Sequence, residues 1–279
     1  MMVDNDLKVW YIIITPRGKV KANKRKGQRK MVKIDRRRHY IMVLDTETCN
    51  TFRDAKGNLN TSNALVYDIG WAVVDKHGNV YETASYINFD VFYGESELMK
   101  SAYYANKIET YIADIDAGTR IVANTYTIRK ALVDTLEKYG IKEIACHNAR
   151  FDKDVLNSTI RWETKSKYRT FFPRYIEIWD TMKMARDVIL KMPTYKRFCE
   201  ENDLLTKTGR LSASAECLYK FIINDVDFEE SHTGLEDVMI EKDILAYCFK
   251  QHKAMRKKLY DKPFTEPYKD PFQWVKHLY

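Results

Sequence analysis

The sequence has no apolar run long enough to matter to a membrane. The longest early one, Val9 to Ile14, is too short for a signal peptide or a membrane span. It also has no Cys-x-x-Cys pair. The five cysteines, at 49, 146, 199, 217 and 248, are an odd number, which argues against both a disulfide framework and a zinc cluster. They read as small apolar residues in a reducing compartment. Internal repeats are lacking too, which excludes a repeat array. These absences leave a chain expected inside a cell, cytoplasmic in a bacterial or phage setting and nuclear in a eukaryotic one, with no membrane partner. What is present is 279 residues, 45% hydrophobic and 31% charged, enough for one large domain or a medium domain with additions.

The net charge of +8 is unevenly spread. Between Arg17 and Arg38 lie 12 Lys or Arg and one acid, Asp35, so this stretch carries +11 and the remainder sums to a mildly acidic −3. Lys24, Arg25, Lys26, Arg29, Lys30, Arg36, Arg37 and Arg38 make a basic arm suited to sequence-independent, salt-sensitive attraction to phosphates. A solvated loop or a nuclear-targeting patch would have the same composition.

The organisation follows from periodicity. Residues 1–39 read as a basic N-terminal extension, with one strand candidate, "KVWYIII", before the break at 16–18. From residue 40 the pattern is that of a compact domain extending to about 260, followed by a tail, 261–279. Strands are expected at 40–45, 65–75 and 80–89, the last two joined by the hairpin-like "KHGN". Helical spacing is expected at 95–117 and 125–139, the latter ended by Gly140. A short buried strand, "IKEIAC", leads into a helix at "HNARFDKDVLNSTI"; "YIEIW" ends at Asp180 before another helix, and further helices fall at 194–202, 212–223 and 235–258. A hairpin followed by alternating strands and helices indicates an α/β domain with a mixed sheet.

Three elements carry chemistry. In "YIMVLDTETCN", Asp45 and Glu47 follow an unbroken apolar run and stand two residues apart, so on a strand they share one face about 6.5 Å apart. Two anions so close repel unless a cation lies between them, and hard divalent ions favour all-oxygen sites. Glu95/Glu97, Asp114/Asp116, Asp152/Asp154, Asp225/Asp227 and Glu241/Asp243 have the same spacing without the apolar run. The second element is His147 to Asp152, directly after "IKEIAC", where a first-turn acid could reach the same crevice or simply close a turn and complement the helix dipole. The third is "SHTGLEDVMIEKDIL", with His232 in a turn and Asp237 five residues on; a histidine beside a metal-held water can act as a general base.

In this order, DTET after a strand, HNARFD, and His232-x4-Asp237 resemble the three motifs of DEDDh 3′–5′ exonucleases, a proofreading-subunit-like group, over residues 40–258. The segment "ACHNARFDKDVL" carries the resemblance most specifically, and "YIEIWDTMKMAR" resembles the strand and helix that precede the third motif, with Asp180 a structural or pocket acid. The resemblance implies a ribonuclease H-like α/β fold, a mixed five-stranded sheet with its first three strands antiparallel, flanked by helices. It implies two-metal hydrolysis in which Asp45, Glu47, Asp152 and Asp237 hold two Mg²⁺ or Mn²⁺ ions and His232 takes the proton of the attacking water. The chain departs from the family's usual Thr-Gly wording at Thr48-Cys49-Asn50, and loop 50–63 is longer than in compact members. With all four carboxylates and the histidine retained, an active enzyme is expected, releasing nucleoside 5′-monophosphates from single-stranded DNA or from the 3′ ends of duplex DNA.

The terminal nucleotide is expected to meet Thr46, Thr48, His147, Asn148 and Phe151. The basic and aromatic insertion 161–174, with Arg161, Trp162, Lys165 and Arg169, would supply charge and rings for unpaired bases; Phe171 and Phe172 read equally as core. RNA trimming by the same fold is an alternative, as is a non-catalytic nucleic-acid-binding module. The chain lacks a polymerase-sized extension, so a DNA polymerase would be a separate partner.

Overall fold

The computed structural model describes residues 13–14, 20–21, 34–53, 59–61, 63–102 and 105–260. The chain forms two compact units, Met1–Asp35 and Arg36–Tyr279. The first contains a two-stranded antiparallel pair, β1 (Ile13–Ile14) and β2 (Val20–Lys21). The rest of "KVWYIII", the arm residues Lys24, Arg25, Lys26, Arg29 and Lys30, and tail 261–279 lie outside the described residues. Arg38 belongs to the larger unit, where its Nη1 donates to Asp75 Oδ2 at 2.9 Å.

In the larger unit, β3 (Ile41–Cys49) leads to a small antiparallel pair, β4 (Phe52–Arg53) and β5 (Leu59–Asn60), and then to β6 (Leu65–Val74) and β7 (Val80–Asn88). Helices α1 (Phe89–Phe92) and α2 (Ser96–Met99), a 3-10 turn (Ala105–Lys107) and α3 (Ile108–Ala117) precede β8 (Ile121–Ala123). Then come α4 (Thr125–Tyr139), β9 (Glu143–Cys146), α5 (Arg150–Thr164), β10 (Glu177–Asp180), α6 (Thr181–Val188), α7 (Pro193–Glu201), α8 (Ala215–Ile223) and α9 (Gly234–Lys250). The sheet order is β10-β9-β3-β6-β7-β8. The first three strands in sequence are antiparallel, and β9, β10 and β8 pair in parallel with their neighbours. This is the mixed sheet expected of a ribonuclease H-like fold, with six strands rather than five. The sixth, β8, has only three residues, too few to show a period of two.

Both faces of the sheet are covered, and for that reason β6 reads as a continuous apolar run with all ten residues buried. Ile41 and Val43 of β3, with Ala72 and Val74 of β6, share a core with residues from α6 to α9. On the opposite face Ile69 meets Ile128 of α4 and Leu156 of α5 around a small cavity. Because side chains alternate along a strand, Asp45 and Glu47 lie on the Ile41 and Val43 face, toward α9.

Two expected helices are shorter than their periodicity indicated. The 95–117 stretch is divided because Ser101 docks on the turn after β3, accepting from the Asn50 amide at 3.0 Å through Oγ. The last helix stops at Lys250. Residues 257–259 run back along β10, where Asp180 N donates to Lys257 O and Leu259 N to Ile178 O, each at 2.8 Å, so the edge strand is covered rather than left as an open template. Conversely, α5 runs through Arg161 and Trp162 to Thr164, further than its opening residues indicated.

Candidate active site: an acidic crevice at the end of the central strands

β3 is paired unequally on its two sides. Its pairing with β6 continues to Cys49 through a bulge between Glu47 and Thr48, whereas β9 leaves it at Val43. The acids therefore lie within the strand, not beyond its end at Asp45, and the side vacated by β9 opens a crevice at the carboxyl ends of β3 and β9. Such crevices are where open α/β sheets bind ligands. Four apolar residues, Ile41 to Leu44, all fully buried, anchor the strand beneath it.

Three helical or loop elements converge there. The first turn of α5 brings Asp152, whose Oδ1 accepts from Thr46 Oγ1 at 2.9 Å. α9 brings Asp237, and carboxylate oxygens of Asp45, Glu47 and Asp237 lie within 4.8 Å of one another. The loop before α9 brings His232 and Glu230, which form a second such group with the same Asp237. His232 Nδ1 stands 3.7 Å from Glu230 Oε2.

α9 can approach because two glycines face each other. A Cβ on Gly70 would fall 2.4 Å from Leu235 N, and one on Gly234 would fall 3.0 Å from Gly70 N. The end of α9 is then fixed by Asp68, whose Oδ2 accepts from Gly234 N at 2.9 Å, from Tyr111 Oη at 2.8 Å and from Arg120 Nη1 at 3.2 Å. Arg120 also donates to Asp114 and Glu236. His232 itself has φ of +52°, a conformation β-carbon residues adopt at some cost, so the loop around it is held rather than free. Lys107 donates to the Ser231 carbonyl in that loop.

The electrostatics of the crevice are those of crowded anions. Burial, then the neighbouring acids, raise Asp45 well above the carboxylate range. Burial and Asp237 push Glu47 up to about 9. Burial raises Asp237 to about 8 and Asp152 to about 7. Glu230 rises to about 7, again chiefly through burial. His232 moves the other way, lowered by burial and by Lys107, so it is neutral near pH 7 and able to accept a proton. Among the described residues, Asp237 Oδ1 and Glu241 Oε2 are buried with no hydrogen-bond partner. An all-oxygen set with repelling anions and orphaned oxygens fits a hard divalent cation such as Mg²⁺ or Mn²⁺.

The other expected contacts divide. Thr46 is buried under Asp152, and Thr48 is buried beside it in the strand. His147 has both ring nitrogens engaged, Nδ1 with Thr181 Oγ1 at 2.9 Å and Nε2 with the Ala213 carbonyl at 2.7 Å, so it braces β9 against the loop before α8 and has no ring atom left for a substrate. Asn148 is exposed in the left-handed turn with φ of +64°, and Phe151 is half-buried in the first turn of α5. Arg161 is 3% exposed and its Nε donates to the Arg169 carbonyl, while Trp162 packs against the core around Tyr67 and Tyr111. These two serve packing rather than a nucleic-acid surface, and Phe171 and Phe172 are core. Lys165, Lys167, Tyr168 and Arg169 remain exposed, with Tyr168 at 88%. Asp180 caps α6 by accepting from Met182 N and Lys183 N. Arg36 and Arg37 are exposed.

Sequence reasoning passed over Glu230, Asp68, Arg120 and Glu241. Glu241 did carry a signal: it follows Asp237 by four residues on one helical face.

No family model matches the chain, and no curated protein matches it in sequence. The fold is similar to the nuclease domain of 3′hExo, a DEDDh family member bound to rAMP, at 12% identity and a TM-score of 0.45, covering 80% of this chain and 98% of that one. It is also similar to E. coli exonuclease I in complex with a dT13 oligonucleotide, at 14% identity and 0.44, covering 77% of this chain and 42% of that one. Cell-death related nuclease 4 matches at 14% identity and 0.43, covering 78% and 66%. The chain thus spans less than half of exonuclease I. Identities this low bear on chain trace, so the chemistry of the crevice is read from its own side chains.

Proposed function

We propose that the protein is a metal-dependent 3′–5′ exonuclease that hydrolyses single-stranded DNA, or the 3′ ends of duplex DNA, to nucleoside 5′-monophosphates. The observation that carries this reading is the meeting of Asp45, Glu47 and Asp237 within 4.8 Å, with His232 and Glu230 grouped on the same Asp237. The order of the three motifs supports it.

Asp45, Glu47, Asp152 and Asp237 would hold two Mg²⁺ or Mn²⁺ ions. When bound, the ions supply charge for the scissile phosphate and acidify a water, as divalent pairs do in phosphoryl transfer. The chain's own residues do the rest. His232, neutral because burial and Lys107 oppose its protonation, takes the proton from the attacking water. Glu230, 3.7 Å from His232 Nδ1, orients the ring and stabilises the imidazolium that results. Thr46 fixes Asp152 through its 2.9 Å hydrogen bond. Lys165, Lys167, Tyr168 and Arg169, exposed after α5, are suited to the phosphates and bases of an unpaired strand.

The test is digestion of matched single-stranded DNA and RNA, labelled at either end, in Mg²⁺. A 5′-labelled DNA should shorten stepwise and a 3′-label should leave at once as a mononucleotide. RNA degraded in preference would move the substrate to RNA; no shortening of any strand would remove the enzymatic reading.

A further inference from the structure

α9 delivers a second acid to the crevice. Glu241 lies one helical turn after Asp237, so both project from the face of α9 that packs on β3 and β6. Glu241 is 3% exposed. Among the described residues, its Oε2 has no hydrogen-bond partner. Fully buried polar atoms of this kind are rare in folded proteins and need a reason. Neither a solvated surface role nor a saturated structural one supplies it.

Asp45, Glu47 and Asp237 form the close group. Beyond burial, Asp152 also acts on Glu241, and Glu241 on Asp45, raising each. Glu47 feels Asp237 and Asp68 most.

We propose that Glu241 is a fifth metal ligand of this centre, its buried, unpaired Oε2 reaching a cation from one helical turn beyond Asp237. The setting rests on the metal-dependent nuclease reading, which assigns only four carboxylates to the centre. Five carboxylates against two divalent ions leave one negative charge, and Lys107, which acts on Glu47, Glu230 and Asp237, offsets it. A centre with a further buried carboxylate should hold its ions in the absence of nucleic acid.

The full chain, freed of metal by chelation, is titrated with Mn²⁺ and followed by electron paramagnetic resonance and calorimetry without nucleic acid. The wild type should bind two ions. E241Q should bind one as the wild type does and the other about tenfold or more weakly; E241D, which keeps the charge on a shorter stem, should fall between. An E241Q titration that superimposes on the wild type overturns the proposal while leaving the nuclease reading intact. If E241Q fails to fold by circular dichroism, E241D decides, and wild-type affinity at both ions in E241D overturns the proposal. A wild type that binds no Mn²⁺ overturns both readings.

Discussion

Buried acids at the two ends of the central strands are treated in opposite ways. Just past one end of β6, Asp75 is 3% exposed and surrounded by donors: Arg38, Tyr81, the Asn79 side chain and the His77 and Asn79 amides. Burial works against its charge, yet the hydrogen bonds hold it well below the usual carboxylate range. At the other end, Asp45, Glu47, Asp152, Asp237 and Glu241 are all raised, each chiefly by burial and then by further acids nearby. A fold able to satisfy an acid with five donors at Asp75 gives Asp237 Oδ1 and Glu241 Oε2 none among the described residues. The difference fits the cation-binding role proposed for the crevice acids, since bound cations would offset the repulsion that protons otherwise relieve.

The strongest way to break that comparison is to neutralise one acid at each end. Asp45→Asn should cut hydrolysis by about three orders of magnitude, the several kcal/mol a divalent centre supplies, while the metal-free protein melts no lower than the wild type. Activity assays and thermal melts of the same preparation check both halves. Next in size is the clamp that holds α9. Arg120 Nη1 and Asp68 Oδ2 are paired at 3.2 Å with both side chains buried, so Arg120→Ala should cost about 3–5 kcal/mol in denaturant unfolding by leaving Asp68 uncompensated. Asp75→Asn is smaller: about 1–3 kcal/mol from unsatisfied donors, with hydrolysis per folded molecule unchanged.

The smallest effect is in pH, and its sign distinguishes the two groups. Acids raised in the folded state favour folding while protonated. Their contribution is complete below about pH 4 and is lost as the pH climbs through the values of about 7 for Asp152 and Glu230, 8 for Asp237 and 9 for Glu47. Metal-free protein should therefore lose about 1 kcal/mol or more between pH 5 and 9, and saturating Mn²⁺ should abolish that loss by replacing the protons. Asp75 and Asp187, both lowered, contribute above the ordinary carboxylate range and lose it only in stronger acid. A metal-free melting temperature that rises steadily from pH 5 to 9 would erase the distinction.

Much of this was legible in the residues. The apolar run before Asp45 announced a central strand, and the hairpin and alternating elements announced a mixed sheet, because burial on one or both faces imposes the period directly. Asp45, Glu47, Asp152, Asp237 and His232 were legible through motif order, not through any one of them. Asn50, a departure in wording, takes a φ of +57°, the left-handed conformation that glycine adopts most cheaply and asparagine next. What stayed hidden depended on tertiary contact. Glu241 looked like one more acid of an i, i+2 pair with Asp243, and its burial appears only once α9 docks on Gly70. Arg161 looked like a surface charge; its long stem and guanidinium are enclosed because α5 carries it inward and the chain returns over it at Arg169.

One assay tests whether the crevice is a cation-dependent nuclease centre. A 5′-labelled single-stranded DNA is incubated with the full chain in Mg²⁺ or in EDTA, with Asp45→Asn alongside. Stepwise shortening by the wild type in Mg²⁺, absent in EDTA and reduced about a thousandfold in Asp45→Asn, is the predicted result. Shortening that persists in EDTA, or that Asp45→Asn retains at the wild-type rate, would contradict it.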